Sequence, residues 1–352
     1  MSGGVDSSVT AAILKEKGYE VIGVTMQIWP EHGQSTSNEQ SCCSVEAVND
    51  ARKVADELRM KYYVLNFKEI FQKEVVDYFI SEYSRGRTPN PCIMCNRKIK
   101  FEHLLRKARA LEADYLATGH YVRLEKSNGK FILKKGIDPE KDQSYALYNL
   151  TQDQLKHLLF PLGQLEKDRT RDIAYKYGLP VYAKSDSQEI CFVSGNNYGD
   201  FIKEKNPETV VPGPVVDKNG NEVGKHKGLP YYTVGQRRGL GLALGYPVYV
   251  KEIDFERNTL VVAPKEDIFA EGLIASDINW ISGDEPDDEV ETEIKIRYNS
   301  SPVPGTVKTK GKDRVEVSFE QSQAAVTPGQ SAVFYAGEEL LGGGIIEKAI
   351  GN

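Results

Sequence analysis

The amino-terminal segment carries residue types suited to holding an anion. Residues 2–8 read SGGVDSS and lead into a segment with helical periodicity. Glycines allow successive N–H groups to point into one concavity, and the helix that follows adds the positive end of its dipole. The lysine of the G-x-x-x-x-G-K-[ST] loop is missing, so this is a different type of phosphate loop. The pattern predicts a pyrophosphate site.

Cysteines supply a second kind of chemistry. The chain has five, Cys42, Cys43, Cys92, Cys95 and Cys191. A C-x-x-C pair serves as a redox dithiol, as half of a zinc site or as two ligands of a cluster. The absence of a second C-x-x-C disfavours a Cys₄ zinc site. Because the number is odd and a chain of this length needs no disulfide staples, we expect reactive cysteines.

The sequence around the cysteines predicts their settings. Residues 90–96 read NPCIMCN, and Pro89 and Pro91 predict an extended active-site loop. Residues 185–192 read SDSQEICF, which leaves Cys191 either a buried apolar residue or a nucleophile. The adjacent Cys42 and Cys43 follow a polar loop over 30–41, where they are either surface or helix-start thiols or part of a sulfur relay.

Helices and strands that alternate along the first half of the chain must position these residues. The periodicity predicts helices over 4–17, 44–59, 68–84 and 98–110, and strands over 20–28, 62–66 and 114–118. Such alternation is typical of an α/β domain with a mainly parallel sheet. Ligands bind beyond the carboxyl ends of the strands in these sheets.

The composition changes near residue 195, where glycine, proline, valine and tyrosine become frequent. The Asn219-Gly220 pair predicts a hairpin, and short strands are expected over 246–253 and 260–263. We therefore predict three domains, a catalytic domain over 1–198 and β-rich modules over 199–271 and 272–352.

Length and charge exclude several classes of protein. The chain has 352 residues, of which 40% are hydrophobic, and its net charge is −6. This balance excludes a fibrous or wholly disordered chain. No apolar run is long enough for a membrane span and no secretory signal is visible, so a cytoplasmic location without membrane contact is expected. The negative total disfavours a nucleic-acid-binding surface over the whole molecule, but it allows a local basic path. The residues predicted to form this path are Arg97, Lys98, Lys100, Arg237, Arg238, Lys308, Lys310, Lys312 and Arg314.

Six strings carry a family resemblance. They lie in order over most of the chain, at 1–8, 90–96, 117–123 (ATGHYVR), 141–148 (KDQSYALY), 185–192 and 232–240 (YTVGQRRGL). In these strings the chain resembles the bacterial tRNA-specific 2-thiouridylases, which belong to the N-type ATP pyrophosphatases. The resemblance implies a Rossmann-like HUP domain with a parallel sheet, a central β-rich module and a C-terminal β-barrel.

The resemblance also implies an activity and its partners. The family uses ATP with Mg²⁺ to adenylate the C2 oxygen of the tRNA wobble uridine, and a cysteine desulfurase or relay protein donates sulfur. Implied nucleotide contacts are Met1, Ser2, Gly3, Gly4, Val5, Asp6, Ser7, Met26 and Gly119. Implied contacts with the tRNA anticodon stem-loop are Asn90, Pro91, His120, Lys141, Asp142, Gln143, Arg297, Tyr298 and Gln330.

Two routes of sulfur delivery stay open at this stage. By resemblance, Cys191 carries a persulfide and Cys95 releases its sulfur through a transient disulfide. Cys92 departs from the family pattern, in which an aspartate stands at that position. Cys92, Cys95 and Cys191 are therefore also candidate ligands of a [4Fe–4S] cluster with one open iron.

The start of the sequence is a further departure. In the family a buried strand precedes the phosphate loop, whereas here the loop begins at Met1, which predicts a truncated sequence. The sequence features allow two other functions, an amide-forming ATP pyrophosphatase and a non-enzymatic RNA-binding protein. The first lacks a recognisable glutaminase nucleophile, and the intact loop beside the cysteines disfavours the second.

Overall fold

The first half of the chain builds helices around short parallel strands. This computed structural model describes residues 1–28, 45–186, 190–193, 197–286, 289–311 and 313–351. The polar loop predicted over 30–41, the pair Cys42-Cys43 and the cation Lys312 lie outside the described residues.

The parallel sheet consists of two separate pairs of strands. Strand β1 (Ile22–Gln27) pairs in parallel with β2 (Lys61–Asn66), and β3 (Leu116–Ala117) pairs in parallel with β6 (Leu158–Leu159). Met1 lies beside β1, because its amine donates to the carbonyl of Val24 and its carbonyl accepts from Thr25 Oγ1 at 2.7 Å. The predicted parallel arrangement is confirmed, although the third predicted strand shortens to two residues.

The helices pack their apolar faces against these strands. Helix α1 buries Val5, Val9 and Ala12, and α2 buries Ala51 and Val54. The helical segments 68–83 and 91–110 each continue through a π-helical stretch, Gln72–Asp77 and Cys95–Leu104. The bounds are α1 Val5–Glu16, α2 Val45–Glu57, α3 68–83, α4 91–110, α5 Gln152–Leu155, α6 Lys167–Lys176 and α7 Tyr198–Lys205.

Helix α4 corrects the prediction of an extended loop around the C-x-x-C pair. The Asn90 side chain accepts hydrogen bonds from the backbone N–H groups of Cys92 (3.1 Å) and Ile93 (3.4 Å). Pro91 occupies the first helical position, where its missing N–H costs nothing. An asparagine cap followed by proline thus begins a helix, and Cys92 and Cys95 become neighbours three residues apart on it.

The middle of the chain forms a four-stranded sheet in the order β8-β7-β10-β9. The hairpin predicted at Asn219-Gly220 is confirmed: Gly220 has φ +85°, and its N–H donates to the carbonyl of Asp217 at 3.0 Å. The strands are β7 Gly213–Val216, β8 Glu222–His226, β9 Tyr249–Asp254 and β10 Thr259–Ala263.

The last six strands close into a barrel, because β11 pairs with β14 on one side and with β16 on the other. Their order is β11-β14-β13-β12-β15-β16. The bounds are β11 Phe269–Trp280, β12 Glu289–Lys295, β13 Val303–Thr309, β14 Arg314–Ala324, β15 Ser331–Ala336 and β16 Glu339–Ile350. The predicted combination of an α/β domain with β-rich modules and a terminal barrel is confirmed.

A hairpin from the first half extends the barrel sheet. Strands β4 (Val122–Ser127) and β5 (Lys130–Lys135) form the hairpin, and β5 pairs with β16 through Leu133 and Leu340. One apolar core crosses this junction, and it includes Leu133, Tyr145, Tyr148, Ile281, Val333 and Leu340. The barrel therefore shares a sheet and a core with the first half. None of the helices described combines the length and apolar character that crossing a bilayer requires.

Candidate functional site

The phosphate loop packs directly on a neighbouring helix. Gly3 has φ +66°, and a Cβ at this position would lie 2.2 Å from the carbonyl oxygen of Ala47 in α2. Gly4 precedes α1, and no side chain caps the amino end of this helix. The Ser7 hydroxyl donates to the Gly4 carbonyl at 3.2 Å and accepts from the Ser2 N–H at 3.2 Å. Helix amides without a side-chain cap are suited to an anion.

Two further predicted nucleotide residues lie near the carboxyl ends of parallel strands. Gly119 follows β3, and a Cβ there would lie 2.8 Å from the carbonyl carbon of Asp6 and 3.0 Å from the nitrogen of Ser7. Only glycine permits this approach to the first turn of α1. Met26, in β1, is half-buried and packs against the apolar cluster that includes Phe71 and Phe79.

The carboxylate of Asp6 is engaged by other side chains. It accepts from the ammonium of Lys167 at 2.7 and 2.9 Å and from the hydroxyl of Tyr121 at 2.9 Å. Burial, and then the charge of Asp6, raise the pKa of Tyr121, so its phenol remains a donor. Asp6 thus anchors the loop to helix α6.

The carboxylate of Asp186 pairs with three cations, one of which is Lys167. It pairs with Lys167 at 2.8 Å, Lys141 at 3.0 Å and Arg171 at 3.3 Å. Burial would raise the pKa of Asp186, but hydrogen bonds and charges from Lys167 and Lys141 outweigh it and lower that pKa. Lys184 donates to the Gly3 carbonyl at 3.1 Å and to Asp50 at 2.9 Å. We call this set the ionic network: Asp6, Asp50, Lys141, Lys167, Arg171, Lys184 and Asp186.

Most of the ionic network is not apparent from the sequence. Of its seven residues, only Asp6 and Lys141 have a role that the sequence resemblance implies. Asp186 lies in the SDSQEICF string but has no implied role. Lys167, Arg171 and Lys184 belong to no motif, so no local signal marked them as neighbours of the phosphate loop.

Two of the three candidate thiols lie against one apolar cluster. Cys95 and Cys191 are half-buried and both pack against the cluster that contains Phe79, Ile99 and Phe192. Cys92 is exposed. Burial, then Asp142 and Cys92 nearby, raise the pKa of Tyr298. Within the described residues, which include all three thiols, no group of three His, Cys, Asp or Glu side chains is arranged to hold a metal ion. The three thiols therefore do not fit the predicted cluster in this arrangement.

An aromatic surface adjoins the cysteine helix at the barrel. Tyr298 is 39% exposed, packs edge-to-face on Tyr145 at 6.0 Å, and its hydroxyl donates to the carbonyl of Asp142 at 3.4 Å. The ammonium of Lys295 lies over both rings, 5.8 Å from the centre of Tyr145 and 5.7 Å from that of Tyr298. Burial lowers the pKa of Lys295. Lys295 is a further residue that the sequence did not single out.

Several predicted tRNA contacts make hydrogen bonds within the protein. The Asp142 carboxylate accepts from the N–H groups of Gly136 and Ser144, and the Gln143 side chain accepts from the Tyr121 N–H at 3.1 Å. The amide of Gln330 donates to the Thr88 carbonyl at 2.7 Å. Arg297 donates to the Ala324 carbonyl at 2.8 Å, while its Nε is buried without a hydrogen-bond partner in the described structure.

His120 has a buried position. Its ring contacts those of Phe101 and Phe160, and its Nδ1 lies 2.7 Å from the Thr118 hydroxyl. Burial, and then the charge of Lys100, lower the pKa of His120 well below its usual range. The histidine is therefore neutral near pH 7, and its contact with tRNA stays a prediction.

The predicted basic path is largely neutralised. Arg97 forms a two-pronged pair with Asp277, Lys308 pairs with Glu289 at 2.6 Å, and Arg314 pairs with Glu347 at 2.7 Å. In contrast, Arg237 and Arg238 are exposed on the middle module. The exposed basic surface is thus more local than the sequence suggested.

Comparison with known proteins gives a consistent result along the chain. A model described as the tRNA methyl transferase HUP domain matches residues 1–195, more than half of the chain. A tRNA methyl transferase PRC-barrel model matches residues 199–264, and an aminomethyltransferase beta-barrel model matches residues 270–346. A tRNA-specific 2-thiouridylase of Carboxydothermus hydrogenoformans is 56% identical over 99% of this chain and 97% of the relative. The chain belongs to the tRNA-specific 2-thiouridylase family.

Other members of the tRNA-specific 2-thiouridylase family match over the same span. The relative from Clostridium perfringens is 55% identical over 99% of this chain and 98% of its own. The relative from Clostridioides difficile is 50% identical over 99% of this chain and 97% of its own. The resemblance carried by the six strings is therefore confirmed at the level of the family.

Proposed function

We propose that this protein is an ATP-dependent tRNA-uridine 2-sulfurtransferase that thiolates the wobble uridine. One observation carries the proposal: an SGGVDSS loop with uncapped helix amides lies in the same domain as Cys95 and Cys191, which share an apolar cluster. The printed names of the relatives support the substrate class. The domains proposed for catalysis and tRNA binding are those predicted, 1–198, then 199–271 and 272–352, and the proposed location is the cytoplasm.

The first step would be adenylation. The uracil C2 oxygen attacks the α-phosphorus of ATP, the bond to the β-phosphate oxygen breaks, and pyrophosphate leaves. Amides of Val5, Asp6 and Ser7 at the start of α1 would hold the leaving phosphates, since helix amino ends stabilise anions. Mg²⁺ would accompany the nucleotide and neutralise phosphate charge, held mainly by phosphate and water oxygens. Met26 and Gly119 would border the adenosine.

The second step would replace the activated oxygen with sulfur. The terminal sulfur of a Cys191 persulfide attacks C2, and AMP leaves with the former C2 oxygen. The Cys95 thiolate then attacks Cys191 Sγ, which forms a Cys95–Cys191 disulfide and releases the thiocarbonyl. A thiol reductant restores both cysteines, and a cysteine desulfurase or relay protein renews the persulfide.

A cluster-based route has less support than the persulfide route. Cys92, Cys95 and Cys191 do not converge as three ligands in the described structure, so we derive no step through a [4Fe–4S] cluster. Analysis of iron and acid-labile sulfide in protein purified without oxygen tests this choice. We expect less than stoichiometric iron, and a full complement of iron and sulfide would contradict the persulfide route.

The anticodon stem-loop would bind at the junction of α4 and the barrel. Tyr298 is a half-exposed aromatic ring beside Cys92, and such rings stack on splayed bases. Asn90, Pro91, His120, Lys141, Asp142, Gln143, Arg297 and Gln330 are the other proposed tRNA residues. Most of these already make contacts within the protein, so they would shape the surface as well as touch the tRNA.

Transfer of labelled sulfur to unmodified tRNA tests the proposed function. We expect ATP-dependent labelling of tRNA with a wobble uridine, and none of a matched tRNA with cytidine at that position. Release of AMP and pyrophosphate without labelled tRNA would favour an amide-forming enzyme. Binding of tRNA without any ATP cleavage would favour a non-enzymatic RNA-binding protein.

A further inference from the structure

An ammonium group lies over two aromatic rings at the proposed tRNA surface. Lys295 is the last residue of β12, and its side chain is half-buried. Its Nζ lies 5.8 Å from the centre of the Tyr145 ring and 5.7 Å from that of Tyr298. Tyr145 is fully buried, whereas Tyr298 is 39% exposed. The ammonium therefore packs on a buried ring and adjoins an exposed one.

The charge of Lys295 is not neutralised within the described parts of the chain. No carboxylate there forms an ion pair with its ammonium. Asp142 acts on Lys295 electrostatically, but its two carboxylate oxygens already accept hydrogen bonds from neutral donors. These donors are the N–H groups of Gly136 (3.0 Å) and Ser144 (3.1 Å) and the Ser144 hydroxyl (2.8 Å). Lys295 thus keeps a positive charge that a ligand can use.

Other lysines of the same sheet and its loops differ from Lys295 in this respect. Lys135, in β5, pairs with Glu293 at 3.6 Å, and Lys310, after β13, pairs with Glu316 at 3.2 Å. Glu293 lies two residues before Lys295 on β12, so the nearest carboxylate on this strand is engaged by another cation. The excess charge is therefore concentrated beside Tyr298.

The two rings orient the ammonium before any ligand binds. Burial lowers the pKa of Lys295, and the cation–π contacts replace part of the hydration that burial removes. A side chain held in this way loses less conformational entropy on binding an anion than a mobile surface lysine does. Lys295 is thus better prepared for an anionic ligand than a solvated lysine.

A phosphodiester of single-stranded RNA fits this position. Exposed aromatic rings bind splayed bases by stacking, and cations that contact phosphates fix the register of the chain. A base that stacks on Tyr298 has its phosphodiester one sugar away, near an ammonium 5.7 Å from the ring centre. Tyr298 also adjoins Cys92, so such a nucleotide would lie at the cysteine helix.

We propose that Lys295 is a further tRNA-binding residue, which binds the phosphodiester of the anticodon-loop nucleotide whose base stacks on Tyr298. This inference rests on the proposed function and adds a phosphate contact to its tRNA-binding residues. The contact fixes where the loop lies against the cysteine helix. It therefore acts on tRNA binding and not on the chemical steps.

The salt dependence of tRNA binding tests this contact without relying on catalysis. Binding of unmodified tRNA to the full chain is measured between about 50 and 200 mM salt. In Lys295→Gln we expect affinity to fall about tenfold and the slope of log K against log salt to shrink by about 0.7 to 1, the value for one phosphate contact. Lys295→Arg keeps the charge and the ring contacts, so its slope should remain that of the wild type.

An unchanged slope distinguishes a structural role from a phosphate contact. If Lys295→Gln binds normally, or binds more weakly with the wild-type slope, the lysine merely supports Tyr298 and the inference is overturned. If Lys295→Gln does not fold, Lys295→Met serves instead, because its apolar stem can still pack on both rings. The same loss of affinity and slope is expected for Lys295→Met.

A matched control separates this effect from general loss of charge. Lys126 is exposed on the β4–β5 hairpin, and its Nζ lies 5.5 Å from the centre of the Phe131 ring. Lys126→Gln removes the same charge and the same kind of ring contact, and should bind tRNA like the wild type. A loss of slope equal to that of Lys295→Gln would overturn the inference.

Neutral linkages in the RNA locate the phosphate. Anticodon stem-loops are prepared with one methylphosphonate at each loop position in turn. For the wild type we expect one position at which affinity falls about tenfold, and Lys295→Gln should be insensitive to the change at that position, because the two partners of one contact are not additive. Additive losses at every loop position would overturn the inference.

Kinetics keep this inference distinct from the proposed function. In tRNA-dependent ATP–pyrophosphate exchange, Lys295→Gln should raise KM for tRNA about tenfold and change kcat by less than about threefold. If the wild type thiolates tRNA but Lys295→Gln keeps the wild-type affinity and slope, the contact fails and the function stands. If the wild type never thiolates tRNA but the linkage scan shows the expected non-additivity, the function fails and the contact stands.

Discussion

The phosphate loop and the cysteine helix are held in place by different forces. The position of the loop is fixed mainly by close-packed glycines and by the ionic network. Examples are the contact of Gly3 with Ala47 and the ion pair of Asp6 with Lys167. Around α4, the main force is apolar packing, since Ile99 lies in the cluster with Phe79 and Phe101 lies in the core shared with the barrel, and an ion pair joins Arg97 to Asp277 of the barrel. The loop should therefore be sensitive to charge and salt, and the cysteine helix to the integrity of the barrel.

The two regions also differ in where their partners come from. The loop is completed by residues from the first half of the chain, whereas α4 also contacts the barrel. Arg97 illustrates this, because its guanidinium pairs with both carboxylate oxygens of Asp277 in β11. The position of the cysteine helix thus depends in part on a strand that is remote in sequence.

The largest effect is expected from a variant that separates adenylation at the phosphate loop from sulfur transfer at the cysteines. In Cys191→Ser we expect sulfur transfer to fall by about 100-fold or more, because the nucleophile is gone. Pyrophosphate exchange should persist, because the phosphate loop is untouched. Cys92→Ser is the control, and its sulfur-transfer activity should fall much less. Equal loss of both steps in Cys191→Ser would show that the two regions do not act separately.

Replacement of a loop glycine should have the next largest effect. Gly3→Ala places a Cβ 2.2 Å from the Ala47 oxygen at a positive φ, so we expect it to lower the free energy of unfolding by about 2–4 kcal/mol. ATP binding, measured by calorimetry, should fall as well. Gly18→Ala is the matched control, because Gly18 also has a positive φ (+86°) but open space around it.

Gly18→Ala should cost about 1 kcal/mol in urea unfolding, the strain of the backbone alone. Equal costs for the two glycine variants would mean that the contact with α2 contributes nothing. ATP binding should be unchanged in Gly18→Ala, since Gly18 lies beyond the other end of α1.

At the barrel junction we expect a smaller effect on stability. Tyr148 is fully buried, and its hydroxyl accepts from the Ser331 hydroxyl at 3.1 Å. Tyr148→Phe leaves Ser331 without this partner and should lower the free energy of unfolding by about 1–2 kcal/mol. Tyr175→Phe is the control, because Tyr175 is 71% exposed. Sulfur transfer should fall more than pyrophosphate exchange, and a normal ratio would contradict the dependence of α4 on the barrel.

The smallest expected effect is a change in how the stability of the protein depends on pH. His120 is buried neutral, and its pKa is lowered in the folded protein relative to about 6.5 in the unfolded chain. Its contribution to stability is therefore fully present above pH of about 6.5 and is lost as the pH falls below that value. His120→Gln should flatten the fall in urea midpoint between about pH 6.5 and 5 while changing little at pH 7. An unchanged slope would contradict the assignment of this titration to His120.

Much of the fold was predictable where the signal is local. The phosphate loop, helices α1 and α2, the parallel pairing of β1 with β2 and the hairpin at Gly220 follow from turn residues and periodicity. The prediction for residues 90–96 was wrong, although Asn90 and Pro91 are themselves a helix-start signal. Pro89 and Pro91 predict an extended chain in the sequence analysis. In the structure, however, Pro91 occupies the first position of α4, a position that favours proline.

The chemistry available to this protein is visible in its amino-acid sequence: a loop for phosphate, thiols for sulfur, and the family that combines them. Folding, in contrast, places Lys167 between Asp6 and Asp186, packs Cys95 and Cys191 against one apolar cluster, and makes β5 extend the barrel. Turns and caps depend on neighbours a few residues away, so the sequence displays them directly. Contacts across 100 or more residues depend on how whole elements pack, and no local pattern records that outcome.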